Sequence, residues 1–328
     1  MKNTQVMQSM SIVWLSIFML GITMMSCNSK KEQQLPTIGK SVALFDYFSY
    51  KGNDDFYISN PLSGEDYFYN PILPGWYSDP SVCTNGEGDY FLVTSTFTYF
   101  PGVPIFHSKD LVNWKQIGHV LNRASQLVKM EGQKVSGGIF APAISYNPYN
   151  KTYYMVTTNV GAGNFFVKTQ DPFGEWSEPV MLPEVGGIDP SFFFDEDGKA
   201  YIVNNDEAPD NKPEYSGHRT IRIQEFDVKA DKTIGPRKIL VNKGAQPADK
   251  PIWIEGPHLY KINGKYFLMS AEGGTGNWHS EVIFRGDSPM GKFLPWKNNP
   301  ILTQRHLNSD RPNSVTCAGH ADLIQTKE

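Results

Sequence analysis

Four short stretches of this chain begin alike: Asp79-Pro80-Ser81-Val82, Ala141-Pro142-Ala143-Ile144, Asp189-Pro190-Ser191-Phe192 and Glu255-Gly256-Pro257-His258. Each stretch leads through a turn into a strand-like run that begins with an aromatic residue, at Tyr90, Tyr153, Tyr201 and Tyr266. The aromatic residue follows the first residue of its stretch by 11 or 12 positions in every case. Regular self-similarity of this kind predicts a repeat architecture, and three of the four openings carry an acid.

The sequence between the openings indicates β-hairpins. The first turn of each unit is marked by Asn85-Gly86, Asn147-Pro148, Asp197-Gly198 or Asn263-Gly264. Asn-Gly and Asp-Gly beside aromatic and β-branched runs are strong hairpin signals. Further strand-like runs at 106–114, 165–169 and 220–226 indicate a second hairpin in each unit. No window combines a helical period with helix caps, so the sequence predicts an all-β fold.

The size of the repeat unit favours a β-propeller. Units of about 50 to 65 residues with four strands each are typical of propeller blades rather than of sandwich strands. A fifth opening follows at 317–325, and the chain stops at Glu328, before the hairpin turn of that unit. We therefore expect a five-bladed β-propeller with four blades complete and the fifth cut short.

Composition excludes one class of partner. The chain has 328 residues, a formal net charge of −4 and 40% hydrophobic residues. Such a chain can bury a large core, and it has no basic footprint for nucleic acid. Its 16 Tyr, 20 Phe and 7 Trp suit both strand cores and the stacking of sugar rings on flat faces.

The N-terminus differs from the rest of the chain. A basic Lys2 precedes an apolar run at 11–25, which has the length of a secretory h-region and ends in Ser26-Cys27. This pattern resembles a bacterial lipoprotein signal in which Cys27 becomes the acylated N-terminus. A plain signal peptide and a short membrane anchor are the alternatives.

These features divide the chain into three parts. Residues 1–27 are expected to be the signal peptide, 28–40 a flexible tether and 41–328 the propeller domain, incomplete at its C-terminus. The predicted location is therefore an exported, membrane-anchored lipoprotein facing the periplasm or the cell surface. Its membrane contact would be the lipid anchor alone.

Two further cysteines, Cys83 and Cys317, lie in the first and last units. An exported compartment permits a disulfide between them. A core of this size does not need such a bond, and free thiols are the favoured alternative.

The acids Asp79, Asp189 and Glu255 are the candidate catalytic residues. A single Asp-Pro is ordinary turn sequence. In a propeller, however, the innermost strands line a central channel and their starts gather at one mouth. Clustered carboxylates repel one another, and hydrolysis of a glycosidic bond would explain why such a cluster is tolerated.

Several ordered motifs make the resemblance to a family specific. They are the runs 70–81, 95–97, 100–114, 136–142, 188–191, 254–260 and 271–275, which contain the openings at Asp79, Asp189 and Glu255. Together they resemble glycoside hydrolase family 43, and most closely its β-xylosidase and α-L-arabinofuranosidase branch. The match runs from about residue 69 to the end of the chain.

This resemblance implies an inverting mechanism and a role for each acid. Asp79 matches the general base, Glu255 the general acid, and Asp189 the residue that sets the pKa of the acid. Phe97 and Phe140 match positions that line the sugar subsite. His320 matches a channel histidine that touches substrate or a water-bound cation, with a packed channel histidine as the alternative.

The resemblance also implies the substrates and cofactors. The expected reaction is release of terminal xylose or arabinose from hemicellulose-derived oligosaccharides. No cofactor is required, and a structural calcium in the propeller channel is left open. The alternative function is a non-catalytic carbohydrate-binding lipoprotein or an inactive truncated remnant.

Three departures from the family pattern bear on activity. Phe140 stands where the family often has Trp, and Ser78 where it often has Pro. An Arg in blade five that holds the sugar, together with a C-terminal β-sandwich found in many relatives, would lie beyond Glu328. Loss of such positioning contacts would lower activity even with the three acids present.

Overall fold

The structure is a computed structural model that describes residues 55–64, 66–312 and 314–326. The predicted signal peptide, tether and acylated Cys27 lie outside the described residues. The chain divides into two units, Met1–Pro61 and Leu62–Glu328. The described part of the first unit holds a short helix, α1 (Asp55–Ser59). No helix in the described part of the chain is long and apolar enough to cross a membrane.

The second unit is built from four antiparallel sheets, each formed by strands consecutive in sequence. The first holds β1 (Ser81–Thr84), β2 (Tyr90–Val93), β3 (Gly102–Ser108) and β4 (Lys115–Leu121), and the second β5 (Ile139–Asn147), β6 (Thr152–Asn159), β7 (Gly163–Thr169) and β8 (Val180–Met181). The third holds β9 (Ile188–Phe194), β10 (Ala200–Glu207), β11 (Arg219–Asp227) and β12 (Lys232–Asn242). The fourth holds β13 (Glu255–Ile262), β14 (Lys265–Glu272), β15 (Ser280–Gly286) and β16 (Leu294–Pro295), with β17 (Leu302–Thr303) also paired to β15.

This arrangement confirms the all-β prediction. Each sheet is one propeller blade, and the four complete units of the sequence repeat are the four blades. The predicted strand-like runs at 106–114, 165–169 and 220–226 fall in or beside the third strands β3, β7 and β11. Residues 314–326 form no strand, so a fifth blade is not present among the described residues.

The hairpin turns lie where the turn sequences predict them. Asn263 and Gly264 connect β13 to β14, and their φ angles are 51° and 72°. Two consecutive positive φ angles belong to the turn type whose twist matches a two-residue hairpin. The Asn-Gly sequence therefore sets the register of the fourth sheet.

Apolar side chains pack between neighbouring sheets and hold the blades together. Fully buried residues at these contacts include Phe91 and Met155 between the first two sheets, Tyr154 and Phe166 between the second and third, and Ile223 and Leu268 between the third and fourth. Burying one such side chain contributes roughly 1.5–3 kcal/mol. The starts of the inner strands are therefore held on a rigid support.

Each innermost strand begins with the same backbone feature. A residue with positive φ stands at the opening: Asp79 (54°), Ala141 (22°), Asp189 (53°) and Gly256 (53°). His320 in the fifth opening has a φ of 55°. For a non-glycine residue this left-handed conformation costs roughly 1–2 kcal/mol. Such strain is concentrated at functional sites, where surrounding structure holds it in place.

The backbone corrects the alignment of the four openings. Ser81, Ala143, Ser191 and His258 pair with Val93, Val156, Val203 and Met269, so these four are the equivalent positions. It follows that Gly256, rather than Glu255, corresponds to Asp79 and Asp189. Glu255 lies one residue earlier, at the place where a register shift interrupts the β13–β14 ladder. A bulge of this kind re-aims a side chain.

Hydrogen bonds join neighbouring inner strands across the channel wall. Ile144 N–H donates to Ser81 Oγ (3.1 Å), Ser145 Oγ to the Phe192 carbonyl (3.1 Å) and Ser191 Oγ to the Pro257 carbonyl (2.6 Å). Asp322, beyond the fourth sheet, accepts bonds from Ser81 Oγ (2.7 Å) and Tyr260 Oη (2.6 Å). The segment around Asp322 therefore contacts both the first and the fourth sheet.

Candidate active site

The mouth of the channel brings three of the predicted site residues together. Asp79, Asp189 and His320 line one small central cavity, and Gly256, next to Glu255, lines it too. The structure therefore brings Asp79 and Asp189 to one cavity, and Glu255 stands next to a residue that lines it. Glu255 is close enough to both Asp residues for their charges to raise its pKa.

Asp79 is the most accessible of the three acids. Its side chain is 25% exposed, and Ser95 Oγ donates a 2.6 Å hydrogen bond to its Oδ2. Ser95 lies two residues after the end of β2, and Asp79 lies two residues before the start of β1, so segments flanking two neighbouring strands supply the acid and the hydroxyl that orients it. One oxygen of the carboxylate is held, and the group retains contact with solvent.

Asp189 is buried between the second and fourth sheets, with 5% of its surface exposed. Its backbone N–H donates to Thr158 Oγ1 (3.1 Å), and its Oδ2 accepts the Gly256 N–H (3.1 Å). Burial raises the pKa of Asp189, His320 opposes that shift, and the charge of Asp79 adds to it. The bond to Gly256 fixes Asp189 beside the backbone that carries Glu255.

Glu255 is the acid whose proton is held most firmly. It is 8% exposed, and burial is the main cause that raises its pKa. The negative charges of Asp189 and Asp79 raise the pKa of Glu255 further, while Arg219 opposes them. A buried carboxylic acid beside two other carboxyl groups is the environment that keeps a general acid protonated near neutral pH.

His320 connects Asp79 to the backbone beside Glu255. Its Nδ1 lies 3.7 Å from Asp79 Oδ1, and its side chain is 12% exposed. The ring lies against Gly256, where an added Cβ would be 2.7 Å from Nε2. Glycine is needed at this position both for its positive φ and for the space that the ring occupies.

The contact between His320 and Gly256 gives a stability prediction. Gly256→Ala and Gly264→Ala both place a Cβ at a positive φ, which lowers the free energy of unfolding by roughly 1–2 kcal/mol. A Cβ on Gly264 would meet nothing within 4 Å. A Cβ on Gly256 would meet the imidazole, so this variant should lose about 1–3 kcal/mol more. Urea unfolding of both variants measures the difference, and equal losses would contradict the contact.

Aromatic rings from the segments that carry Asp79 and Ser95 contact one another. Phe97 makes an edge contact with Phe140 at 5.6 Å between ring centroids, so the two predicted subsite residues do meet. Trp76 stacks on Phe97 at 5.3 Å with an interplanar angle of 11°, and Trp76 is 61% exposed. Trp76 and Ser95 lie within the family-like runs 70–81 and 95–97 but are not among the predicted site residues. Their closeness in sequence to Asp79 and Phe97 is the signal that could have identified them.

A structural calcium in the propeller channel stays a prediction. Among residues 55–64, 66–312 and 314–326, no group of three or more His, Cys, Asp or Glu side chains is arranged to hold a metal ion. Asp79 Oδ2 accepts the Ser95 hydroxyl, and Asp189 Oδ2 accepts the Gly256 N–H.

The two described cysteines are free. Cys83 is buried in the first sheet, and Cys317 is partly exposed. Burial raises the pKa of the Cys83 thiol, and the charge of Asp322 raises it further. The favoured alternative, two free thiols, is the one that the structure contains.

A model of the family described as Glycosyl hydrolases family 43 matches residues 68–328. A xylosidase/arabinosidase from Butyrivibrio fibrisolvens is 48% identical over 258 residues, which are 78% of this chain and 48% of that protein. The non-reducing end alpha-L-arabinofuranosidase BoGH43B from Bacteroides ovatus is 39% identical over 279 residues, which are 83% of this chain and 48% of that protein. The chain therefore spans about half the length of these curated relatives.

Solved structures of similar proteins also include a protein titled GH43_12 and a xylosidase. The crystal structure of a GH43_12 retrieved from capybara gut metagenome superposes with a TM-score of 0.78 at 55% identity, over 84% of this chain and 50% of that one. A xylan beta-1,4-xylosidase from Bacillus halodurans C-125 superposes with a TM-score of 0.69 at 36% identity, over 79% of this chain and 48% of that one.

Proposed function

The chain belongs to glycoside hydrolase family 43, and from that premise we propose that it is an inverting glycosidase. Its proposed reaction releases terminal xylose or arabinose from hemicellulose-derived oligosaccharides. The names of the relatives support this substrate class, since they include xylosidases and an arabinofuranosidase acting at non-reducing ends. The choice between the two pentoses is left to experiment, because fold does not fix substrate.

One observation carries the proposal. A buried Glu255, whose pKa is raised by burial and by two neighbouring carboxylates, shares a channel mouth with the more exposed Asp79. Inverting hydrolysis needs one carboxylic acid and one carboxylate in different environments. The two sheets that supply Glu255 and Asp79 provide those environments.

The proposed step uses both groups at once. Asp79 takes a proton from a water molecule, whose oxygen forms the new bond to the anomeric carbon. The bond from that carbon to the leaving oxygen breaks, and Glu255 gives its proton to that oxygen. Water enters opposite the leaving group, so the configuration inverts. Asp79 then releases its proton to solvent, and Glu255 takes up a proton from solvent, which restores the starting state of both groups.

The stereochemistry of the product tests the proposal. Methyl β-xyloside and methyl α-arabinofuranoside are incubated with the protein, and the first anomeric proton signals of the product are recorded by NMR. The expected product has the opposite anomeric configuration to the substrate. Retained configuration would contradict the inverting mechanism, and absence of hydrolysis of both pentosides and their oligosaccharides would contradict the function.

Asp189 gives a prediction of pH dependence. Its charge raises the pKa of Glu255, so removing that charge lets the pKa of Glu255 fall. Glu255 must be protonated to act as acid, and activity is lost as pH rises through its pKa. Asp189→Asn should therefore move the high-pH limb of the kcat/KM profile to lower pH. An unmoved or upward-moved limb would exclude this role for Asp189.

We also propose that residues 314–326 begin the fifth blade of a five-bladed propeller. The run His320-Ala321-Asp322 follows the same backbone pattern as Asp79-Pro80-Ser81, since His320 has a positive φ. The fourth sheet also has a second apolar face. Leu268 and Val282 are buried toward the third sheet. Phe267 and Ile283 are the next residues along β14 and β15, so their side chains lie on the opposite face of the fourth sheet.

For its cellular location, we propose an exported lipoprotein anchored through Cys27 and facing the periplasm or the cell surface. Its partners would be oligosaccharides and, through the lipid alone, a membrane; the net charge of −4 does not favour nucleic acid. Labelling with radioactive palmitate in bacterial cells should mark the protein but not Cys27→Ala. Equal labelling of the two would exclude this anchor.

A further inference from the structure

The carboxylate of Asp322 joins the first sheet to the fourth. Its Oδ2 accepts bonds from Ser81 Oγ (2.7 Å) and Val82 N–H (3.0 Å), both in β1. Its Oδ1 accepts the hydroxyl of Tyr260 in β13 (2.6 Å), and its side chain is 7% exposed. Hydrogen bonds to a carboxylate contribute more to stability than hydrogen bonds between neutral groups.

This bridge lies directly beneath the candidate site. Asp79 stands two residues before Ser81, and His320 stands two residues before Asp322. The two segments therefore meet at two successive points. One is the bond from Ser81 to Asp322, and the other is the approach of His320 Nδ1 to Asp79 Oδ1 at 3.7 Å. The two contacts lie two residues apart on each segment.

A second buried acid holds the same segment from the outer side. Glu281 in β15 is 1% exposed, and its Oε2 accepts the Ala321 N–H at 2.9 Å. Its Oε1 is buried without a hydrogen-bond partner among the described residues. Burial raises the pKa of Glu281 to about 8, so the neutral acid is favoured at this position, and its carbonyl-type oxygen still accepts the backbone N–H of Ala321. The segment that carries His320 is thus held by β1, β13 and β15.

We propose that Asp322 is a positioning residue that sets the geometry between Asp79 and His320, with Glu281 as a second support. Neither residue needs to touch substrate. The proposal rests on the proposed glycosidase function for its kinetic consequence, but its structural consequence at His320 is independent of turnover.

The kinetic test compares Asp322→Ala with Asp195→Ala. Asp195 is a matched control because it is 2% exposed and accepts a Tyr266 hydroxyl at 2.6 Å across the third and fourth sheets. It has no bond to Asp79, His320 or their neighbours among the described contacts. Both variants should unfold at lower temperature than the parent. A displacement of about 1 Å near the reacting groups can lower kcat about 100-fold. We expect a decrease in kcat of this size for Asp322→Ala alone, with a smaller change in KM.

Asp322→Asn keeps the size of the side chain and one acceptor oxygen. Its one amide oxygen can replace only one of the two carboxylate oxygens as an uncharged acceptor, so its kcat should lie between those of the parent and Asp322→Ala. Glu281→Gln retains an acceptor for the Ala321 N–H and should stay within about threefold of the parent in kcat, whereas Glu281→Ala should lose more. If all variants lose activity in proportion to their loss of stability, the positioning role is wrong.

The spectroscopic test does not depend on activity. The imidazole signals of His320 are identified in long-range ¹H–¹⁵N spectra by their absence from His320→Gln. They should move in Asp322→Ala and Asp322→Asn and stay in place in Asp195→Ala. Unmoved His320 signals in both Asp322 variants would overturn the proposal. If the parent hydrolyses no pentoside while the signals move as expected, the proposed function fails and the positioning role stands.

Discussion

Glu255→Gln should lower kcat/KM for a xylo- or arabino-oligosaccharide by about 10³-fold, within the range that general acid catalysis contributes. Gln has nearly the same size as Glu, so the buried site remains filled. It has no proton to give to the leaving sugar oxygen, whose departure as an alkoxide is unfavourable. The variant and the parent are compared in steady-state assays on xylobiose and an arabino-oligosaccharide.

The nature of the leaving group separates acid catalysis from general damage. An aryl pentoside with a weakly basic phenol as leaving group needs little protonation, so Glu255→Gln should be impaired far less on it. Glu272→Gln is a matched control, because Glu272 is also 8% exposed and its Oε2 accepts the Ala245 N–H, which an amide oxygen can still do. An equal loss in both variants, or the same loss on both substrates, would remove Glu255 from the role of acid.

Asp79→Asn should lower kcat/KM at least as much as Glu255→Gln, and by the same factor on aryl pentosides and oligosaccharides. Every substrate needs an activated water, whatever its leaving group. Asn can still accept the Ser95 hydroxyl, so the side chain should keep its orientation. The measurement is kcat/KM of the variant across a series of aryl pentosides with leaving groups of different basicity.

Asp89→Asn is the control for this change. Asp89 lies in the turn between β1 and β2 and has a similarly exposed side chain at 23%. It pairs with His107 and Lys109 rather than with a residue of the channel. It should retain kcat/KM within about threefold of the parent. A non-catalytic carbohydrate-binding protein predicts a different result, in which sugar binds and neither the parent nor any variant hydrolyses it.

The architecture could be predicted from sequence because its signals are local. Asn263-Gly264 sets a two-residue turn, and aromatic and apolar runs such as 266–269 beside such turns mark strands. The spacing of the openings then made a propeller the simplest arrangement. The same reasoning brought Asp79, Asp189 and Glu255 to one mouth, and the structure places them in neighbouring positions there.

The register of the fourth opening could not be predicted in this way. Aligning the acids put Glu255 opposite Asp79, whereas the backbone aligns Gly256-Pro257 with Asp79-Pro80. The Pro was the better guide, because the left-handed residue precedes it in each of the four blades. Asp322 was missed for another reason. Its partners Ser81 and Tyr260 are 241 and 62 residues away, and no local pattern reports such contacts.

The left-handed start of each inner strand separates backbone architecture from chemistry, with a consequence for how such a protein diversifies. The same left-handed backbone position is filled by Asp79, Ala141, Asp189, Gly256 and His320. The scaffold therefore accepts an acid, a methyl group, no side chain or an imidazole at this position. Selection can therefore exchange the reactive group without rebuilding the blade. Ala141 is the inert member among the non-glycine positions, and it is where an engineer could install a new functional group facing the channel.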